Sequence, residues 1–212
     1  MKVVMLCGSP RGAKGNSAYL LDGLGRLLGD RVSCETVRVT PGPSAANEDT
    51  AAKVAGCDAL VMAFPLYVDG VPAGLHEALA RIGERVREAG TSPRVYAVVN
   101  CGFFEARQNG LAIEMIWSWC EANGLARGRA VAVGGGEMCR AAPLGHGPAK
   151  DLGRALAQLA DDVAAGGEGD ALCAQPNFPR ILYRLGARFL WRKQAKANGL
   201  SPRALKRRPA NL

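Results

Sequence analysis

The chain has 212 residues, of which 48% are hydrophobic and 22% are charged, and its formal net charge is +8. This length and balance are typical of one globular domain with a large buried core, and they exclude a disordered or low-complexity protein. No apolar run approaches the roughly 18 residues of a membrane-spanning helix. The apolar start at Val3–Cys7 is also too short for the hydrophobic region of a signal peptide, so we expect a cytoplasmic protein.

The first apolar run ends in a loop rich in glycine, serine and basic residues. Residues 8–17 read G-S-P-R-G-A-K-G-N-S, and a helix pattern follows at once. The backbone N–H groups of such a loop and the start of a helix bind phosphate, and small residues permit close approach. The hydroxyl groups of Ser9 and Ser17 are further donors, Asn16 is a good helix cap, and Arg11 adds a guanidinium group. The pattern therefore predicts that this loop binds a phosphate group.

Two common phosphate-binding patterns do not fit this loop. A P-loop requires G-x-x-x-x-G-K-[ST], whereas Ala13 stands where its second glycine is needed. The dinucleotide fingerprint G-x-G-x-x-G requires a glycine where Pro10 stands. A glycine-rich turn without a ligand is the alternative, although a simple turn needs fewer donors than this one carries.

The chain then alternates between valine-rich apolar runs and helix patterns. The runs predict strands over residues 2–7, 32–39, 58–64, 94–100 and 129–134, and helices over residues 16–28, 48–55, 72–89, 105–123 and 148–165. Strands that are apolar on both faces indicate a parallel sheet covered by helices on both sides. Five such units predict an α/β, doubly wound sheet with the strand order 2-1-3-4-5 over residues 1–166.

This strand order places three loops at one crevice. Ligands of open α/β sheets bind beyond the carboxyl ends of the strands, where the winding direction reverses, which here is between the first and third strands. The loops that follow these two strands are residues 8–17 and 65–74, and the loop after the fourth strand, residues 100–109, lies beside them.

The same three loops resemble those of one protein family. Residues 8–17 resemble the phosphate loop of the flavodoxin-like NAD(P)H-dependent FMN reductases, F-P-L-Y-V-D-G-V-P-A-G at residues 64–74 is similar to their second flavin loop, and N-C-G-F-F-E-A-R-Q-N at residues 100–109 resembles the third. The resemblance spans residues 1 to about 165 and implies a flavodoxin-like fold. The cofactor-binding residues that it implies are Ser9, Arg11, Gly15, Asn16, Ser17, Pro65, Leu66, Tyr67, Val68, Asp69, Asn100, Cys101 and Gly102.

The resemblance implies electron transfer from NADPH or NADH through bound FMN to a small acceptor, namely a flavin, a quinone, an azo or nitro compound, or a metal ion. Because the flavin itself takes the hydride, we assign no catalytic acid or base. Family members are commonly dimers or larger, so we expect a homodimer or a higher homo-oligomer. The alternatives are a flavodoxin-type electron carrier, a class that is usually strongly acidic, and a flavin-free regulatory protein tethered to a membrane.

The seven cysteines include no C-x-x-C pair, so the sequence predicts neither a zinc site nor an iron–sulfur cluster. We expect reduced thiols. Cys101 lies in the third flavin loop, where we interpret it as a small residue beside the ring, with a redox role as the alternative. The glycine run at residues 134–136, followed by Glu137, either borders the substrate space or forms a plain loop.

The C-terminal segment carries the whole positive charge of the chain. Ten of the 27 lysines and arginines lie beyond Pro176 and none of the 19 acidic residues does, so the rest of the chain has 17 bases against 19 acids and a net charge of −2. Arginines recur every fourth residue from Arg180 to Arg192, beside an apolar face. Residues 176–212 thus predict a basic amphipathic extension, with one helix ending at Gly199 and another capped near Ser201.

Such a helix packs on protein or lies on an anionic membrane surface. From the sequence we favour packing on the chain's own domain or on a second subunit, and membrane contact is the alternative. No base-reading motif accompanies the charge, so we expect no nucleic-acid partner.

Overall fold

The structure is a computed structural model that describes residues 1–40, 42, 45–201 and 203–207. Its strands are β1 (Lys2–Cys7), β2 (Ser33–Arg38), β3 (Ala59–Pro65), β4 (Arg94–Asn100), β5 (Arg127–Val133) and β6 (Leu172–Ala174). Its α-helices are α1 (Asn16–Leu28), α2 (Ala45–Ala55), α3 (Ala73–Ala89), α4 (Gly110–Ala122), α5 (Lys150–Ala165) and α6 (Arg180–Ala197).

All neighbouring strands are parallel, and their order is β2-β1-β3-β4-β5-β6. The predicted α/β class and the order of the first five strands are confirmed. The prediction of five strands is wrong by one, because β6 pairs with the outer edge of β5. Three residues are too few to show a periodic pattern, and the glycine-rich and acidic residues 166–170 before β6 resemble a linker.

The sheet is buried on both faces, which explains the near-continuous apolar strands. Along β1, Val3, Met5 and Cys7 enter one core cluster, whereas Val4 and Leu6 enter the other. The first cluster includes the apolar faces of α1 and α5, and the second includes those of α2, α3 and α4. Loops after β1 and β3 therefore diverge to opposite faces and leave a crevice between them.

The helix predicted over residues 105–123 starts later than expected. A 3-10 turn occupies Ala106–Asn109, and α4 begins at Gly110. The turn keeps the third loop against the end of β5, since Asn109 donates hydrogen bonds to Ala106 O at 2.9 Å and Val133 O at 3.2 Å.

The first compact unit runs from Met1 to Asn177, past the predicted end at residue 166. The buried hydroxyl of Tyr96 on β4 lies 2.9 Å from the carbonyl oxygen of Gly167, and burial raises the pKa of Tyr96 to about 12, so it remains a donor at neutral pH. Asn177 completes the unit, because it accepts from the N–H of Asp151 at 2.9 Å and donates to its carboxylate at 2.9 Å. The segment after α5 is thus part of the domain.

The second compact unit begins at Phe178 and contains α6 and a 3-10 turn at Ala204–Lys206. The hydroxyl of Ser201 accepts a hydrogen bond from the N–H of Ala204 at 3.2 Å, but Arg203 and not Ser201 occupies the cap position of this turn. Pro202 of that predicted cap lies outside the described residues. Within the described residues, no helix combines the length and the apolar character that crossing a membrane requires.

Two truncations test where the first unit ends. A chain that stops after residue 166 should have a free energy of unfolding about 2–4 kcal/mol lower than one that stops after residue 177, because it loses β6 and one of the two carbonyl groups, those of Asp162 and Gly167, that accept from the buried Tyr96 hydroxyl. Urea unfolding followed by circular dichroism measures the difference. Equal midpoints for the two chains would show that β6 adds nothing to the domain.

Candidate flavin site

The loops at the carboxyl ends of β1, β3 and β4 surround a cavity of about 130 Å³. Ten of the thirteen predicted cofactor-binding residues line it. The lining residues are Ser9, Arg11, Asn16, Ser17, Pro65, Leu66, Tyr67, Asn100, Cys101, Gly102, Gly136 and Glu137. The fold therefore brings the three loops together, as the strand order predicts. The predicted residues outside the lining are Gly15, Val68 and Asp69.

Gly15 shapes the first loop from outside the cavity. A Cβ atom on Gly15 would lie 2.7 Å from the hydroxyl oxygen of Ser9, so only glycine leaves that hydroxyl in place. The Ser9 oxygen accepts the N–H of Arg11 at 3.3 Å, which leaves the Ser9 hydroxyl proton for a ligand.

The N-terminus of α1 is open to an anion. Asn16 was predicted to cap this helix but is its first residue, and Gly15 occupies the cap position without any side-chain cap. The first N–H groups of α1 are therefore left for a negatively charged group, which the helix dipole also attracts. Instead of capping, Asn16 donates from Nδ2 to the carbonyl oxygen of Gly136 at 2.8 Å and so ties the first loop to the loop after β5.

A buried hydrogen bond joins the first and third loops. The Ser17 hydroxyl donates to Oδ1 of Asn100 at 2.9 Å, and both side chains are buried. A hydroxyl has one proton, and in this structure Ser17 donates it to Asn100. In this structure Ser17 holds the two loops together, whereas the Ser9 hydroxyl proton faces no acceptor among its described hydrogen bonds; the binding of the cofactor by both serines stays a prediction.

Arg140 also holds the first loop, although sequence reasoning did not select it. Its guanidinium donates to the carbonyl oxygen of Gly15 at 2.8 Å and lies 5.1 Å from the centre of the Tyr19 ring. The partners are 125 residues apart, so no local pattern could have indicated the contact. Gly136 and Glu137, which the sequence left open, border the cavity; Glu137 lies 4.0 Å from Arg11 in an exposed ion pair.

The second loop contains a strained turn. Tyr67 and Gly70 exchange two backbone hydrogen bonds of 3.1 and 3.0 Å, and Val68 and Asp69 between them have φ angles of 49° and 58°. Left-handed backbone at residues other than glycine costs about 1 kcal/mol or more each and is often found beside functional sites. Val68, which is fully exposed, and the exposed Asp69 lie at the tip of the turn, whereas Tyr67 lines the cavity and is 45% exposed.

Cys101 is a poor candidate for redox chemistry. Its side chain is buried beside Asn109 Nδ2 at 3.5 Å, and burial raises the pKa of the thiol. A protonated thiol is a weak nucleophile. This favours the interpretation of Cys101 as a small residue, and the described cysteines are all free thiols.

Arg140→Ala should weaken flavin binding about three- to tenfold, because the first loop loses its external support without losing a ligand contact. Arg140→Lys is the matched control, since it keeps the charge but not the planar fork or the ring stacking. Titration by quenching of flavin fluorescence measures both. If the Arg140→Lys protein bound flavin as tightly as the parent protein, Arg140 would contribute only its long-range charge to flavin affinity.

Cys101→Ala should leave NAD(P)H oxidation within about threefold of the parent protein, because the buried thiol holds its proton. Steady-state kinetics measures the change. Loss of turnover with flavin binding intact would restore the redox interpretation.

Comparison with known proteins shows the family to which the chain belongs. The sequence profile of the family described as NADPH-dependent FMN reductase matches residues 1–114, more than half of the chain. The chain belongs to this family. It is an NAD(P)H-dependent FMN oxidoreductase, and the residues present fit the cofactor: an uncapped helix N-terminus, a free Ser9 proton and Arg11 suit the phosphate monoester of FMN.

Solved structures share the fold at low sequence identity. An NADH:FMN oxidoreductase in its apo form has a TM-score of 0.63 and 13% identity, covering 85% of this chain and 97% of its own. An azoreductase from Bacillus anthracis has a TM-score of 0.54 and 14% identity, covering 78% of this chain and 99% of its own. A flavodoxin from Streptococcus pneumoniae has a TM-score of 0.56 and 15% identity, with the same two coverages. No curated protein matches the sequence significantly.

Proposed function

We propose that this FMN reductase family member passes electrons from NADPH or NADH through FMN to a small planar conjugated acceptor, of the flavin, quinone, azo or nitro class. The observation that carries the proposal is the border of the cavity. Tyr67 lines its opening with 45% of its surface exposed, and Phe103, next to the lining residue Gly102, is 54% exposed. Exposed rings at a cofactor site suit a planar aromatic molecule. This border favours such an acceptor over a metal ion.

The chain's own residues hold the cofactor in two parts. Ser9, Arg11 and the N-terminus of α1 would bind the phosphate, while the second and third loops would hold the flavin ring. The cavity of about 130 Å³ is smaller than the pockets that enclose a whole ligand of this size, so the ring would extend toward the exposed aromatic border. Bound FMN supplies the hydride-accepting chemistry.

A side chain with an obvious proton-transfer role is not needed for this activity. Glu137 is the one acidic residue among those lining the described cavity, and it is exposed beside Arg11. Its carboxylate would balance the arginine and moderate the attraction for phosphate. We therefore propose that the protein contributes binding, orientation and charge, and keeps no catalytic acid or base.

The alternative is an electron carrier that does not oxidise NAD(P)H. The likeness to a flavodoxin structure is compatible with it, since that likeness concerns the fold alone. Against it stand the family membership and the charge, because the residues before Pro176 carry a net charge of only −2. We also expect, as before, a homodimer or a larger homo-oligomer, which light scattering of the purified protein would measure.

The division of roles between the two serines can be tested with FMN and riboflavin. Ser9→Ala should weaken FMN by about 1–3 kcal/mol and leave riboflavin unchanged, because riboflavin has no phosphate to lose a hydrogen bond. Ser17→Ala is the matched control and should weaken both flavins, because it unties the first loop from the third. Calorimetry or fluorescence quenching gives the four affinities. Equal affinity of the parent protein for FMN and riboflavin would contradict the assignment of this loop to the phosphate.

Anaerobic NAD(P)H should bleach the flavin of the purified protein, and a quinone or an azo dye should restore its colour. The direct hydride route predicts this without any protein partner. Stopped-flow absorbance follows both steps, with ferric citrate as the matched metal-ion acceptor. Reduction by a protein partner but never by NAD(P)H would favour the electron carrier. Faster reoxidation by the iron salt than by the quinone or azo dye would contradict the proposed preference for planar conjugated acceptors.

A further inference from the structure

The unit after Asn177 concentrates the exposed apolar surface of the molecule. Of the fifteen large hydrophobic side chains that are exposed among the described residues, eight lie in this unit. They are Ile181, Leu182, Leu185, Phe189, Leu190, Trp191, Leu200 and Leu205. Ile181 is 73% exposed, Phe189 67% and Trp191 74%. Concentrated exposed apolar side chains mark a surface that binds something else.

Helical geometry arranges part of this surface as one strip. At about 100° per residue, Ile181, Leu182, Leu185 and Phe189 fall within an arc of about 100°, which we call the apolar strip. The arginines at every fourth position occupy the neighbouring arc, except that Arg192, near the end of α6, falls within the arc of the strip. Long basic side chains beside an apolar strip keep their charge in water or on phosphate while their stems cover apolar surface.

The charge of the unit after Asn177 indicates what binds to the apolar strip. The unit after Asn177 has ten basic residues and no acidic residue, whereas the rest of the chain has a net charge of only −2. A second copy of this chain therefore offers little complementary charge. A surface of anionic phospholipids offers a dense array of phosphate groups and an apolar layer beneath them. The phosphate groups suit the arginine arc, and the apolar layer beneath them suits the apolar strip.

We propose that α6 lies flat on an anionic membrane surface, with the apolar strip in the interface and the arginines on lipid phosphates. This reverses the preference for a protein partner drawn from the sequence, because the side chains of the strip are exposed and the remaining chain is nearly neutral. The proposal is independent of which acceptor the flavin site uses.

Sedimentation of the full-length protein with vesicles tests the proposal. The protein should pellet with phosphatidylcholine vesicles that contain phosphatidylglycerol and remain in solution with phosphatidylcholine alone. Raising the salt from about 0.1 M to about 1 M should release it, because screening removes the attraction to the surface. Absence of pelleting at low salt, or equal pelleting with both vesicles, would overturn the proposal.

Matched variants separate the strip from the arginines. Arg184→Gln with Arg188→Gln should lower the vesicle partition coefficient by about fivefold per arginine, whereas Arg81→Gln with Arg85→Gln on the exposed side of α3 should not. Phe189→Glu should reduce partitioning strongly, while Leu27→Glu, at an exposed leucine of α1, should leave it unchanged. Circular dichroism checks that each variant is folded.

Two outcomes of the variants would overturn the proposal. Unchanged partitioning of the α6 variants would mean that another surface binds the lipid. A change of oligomeric state in the Phe189→Glu protein, seen by light scattering, together with absence of lipid binding by the parent, would assign the strip to a second copy of the chain.

Discussion

The hydrogen bond from the Ser17 hydroxyl to Asn100 Oδ1 holds together the loops on which the flavin site depends. Its partners are 83 residues apart, Ser17 in the first turn of α1 and Asn100 at the end of β4, and both are buried. A buried hydrogen bond costs about 1–3 kcal/mol when one partner is left unpaired, so the two loops do not separate freely. Asn16 and Arg140 add bonds from the same loop to the region after β5. The width of the crevice is therefore set by the protein itself, and binding of a cofactor needs little ordering.

The buried parts of the site and its exposed parts have different roles. The buried parallel sheet positions the loops, Gly15 keeps the Ser9 hydroxyl in the cradle, and the uncapped start of α1 supplies N–H groups for an anion. The strained turn at Val68 and Asp69 lies outside the residues that line the cavity. An oxidoreductase whose cofactor carries the chemistry needs this combination: tight control of the phosphate end and an open approach to the ring.

The elements around the site could be predicted because their signals are local. The bounds of β1, β4 and α1 agree with the sequence prediction, since continuous apolar runs and a glycine-rich loop mark them directly. The missed features are tertiary. β6 is too short to show a period, the contact of Arg140 joins distant segments, and the direction of the Ser17 hydroxyl depends on where Asn100 lies. Most residues that line the cavity could thus be predicted from pattern and family resemblance, whereas the hydrogen bonds between its loops could not.

A crystal structure of the FMN complex tests the central claim most directly, because it locates the phosphate. The account predicts the phosphate at the start of α1, within hydrogen-bonding distance of the Ser9 hydroxyl, with the bond between Ser17 and Asn100 intact. A phosphate bound elsewhere, with the loop of residues 8–17 empty, would contradict the account, and so would a phosphate that takes the Ser17 proton away from Asn100.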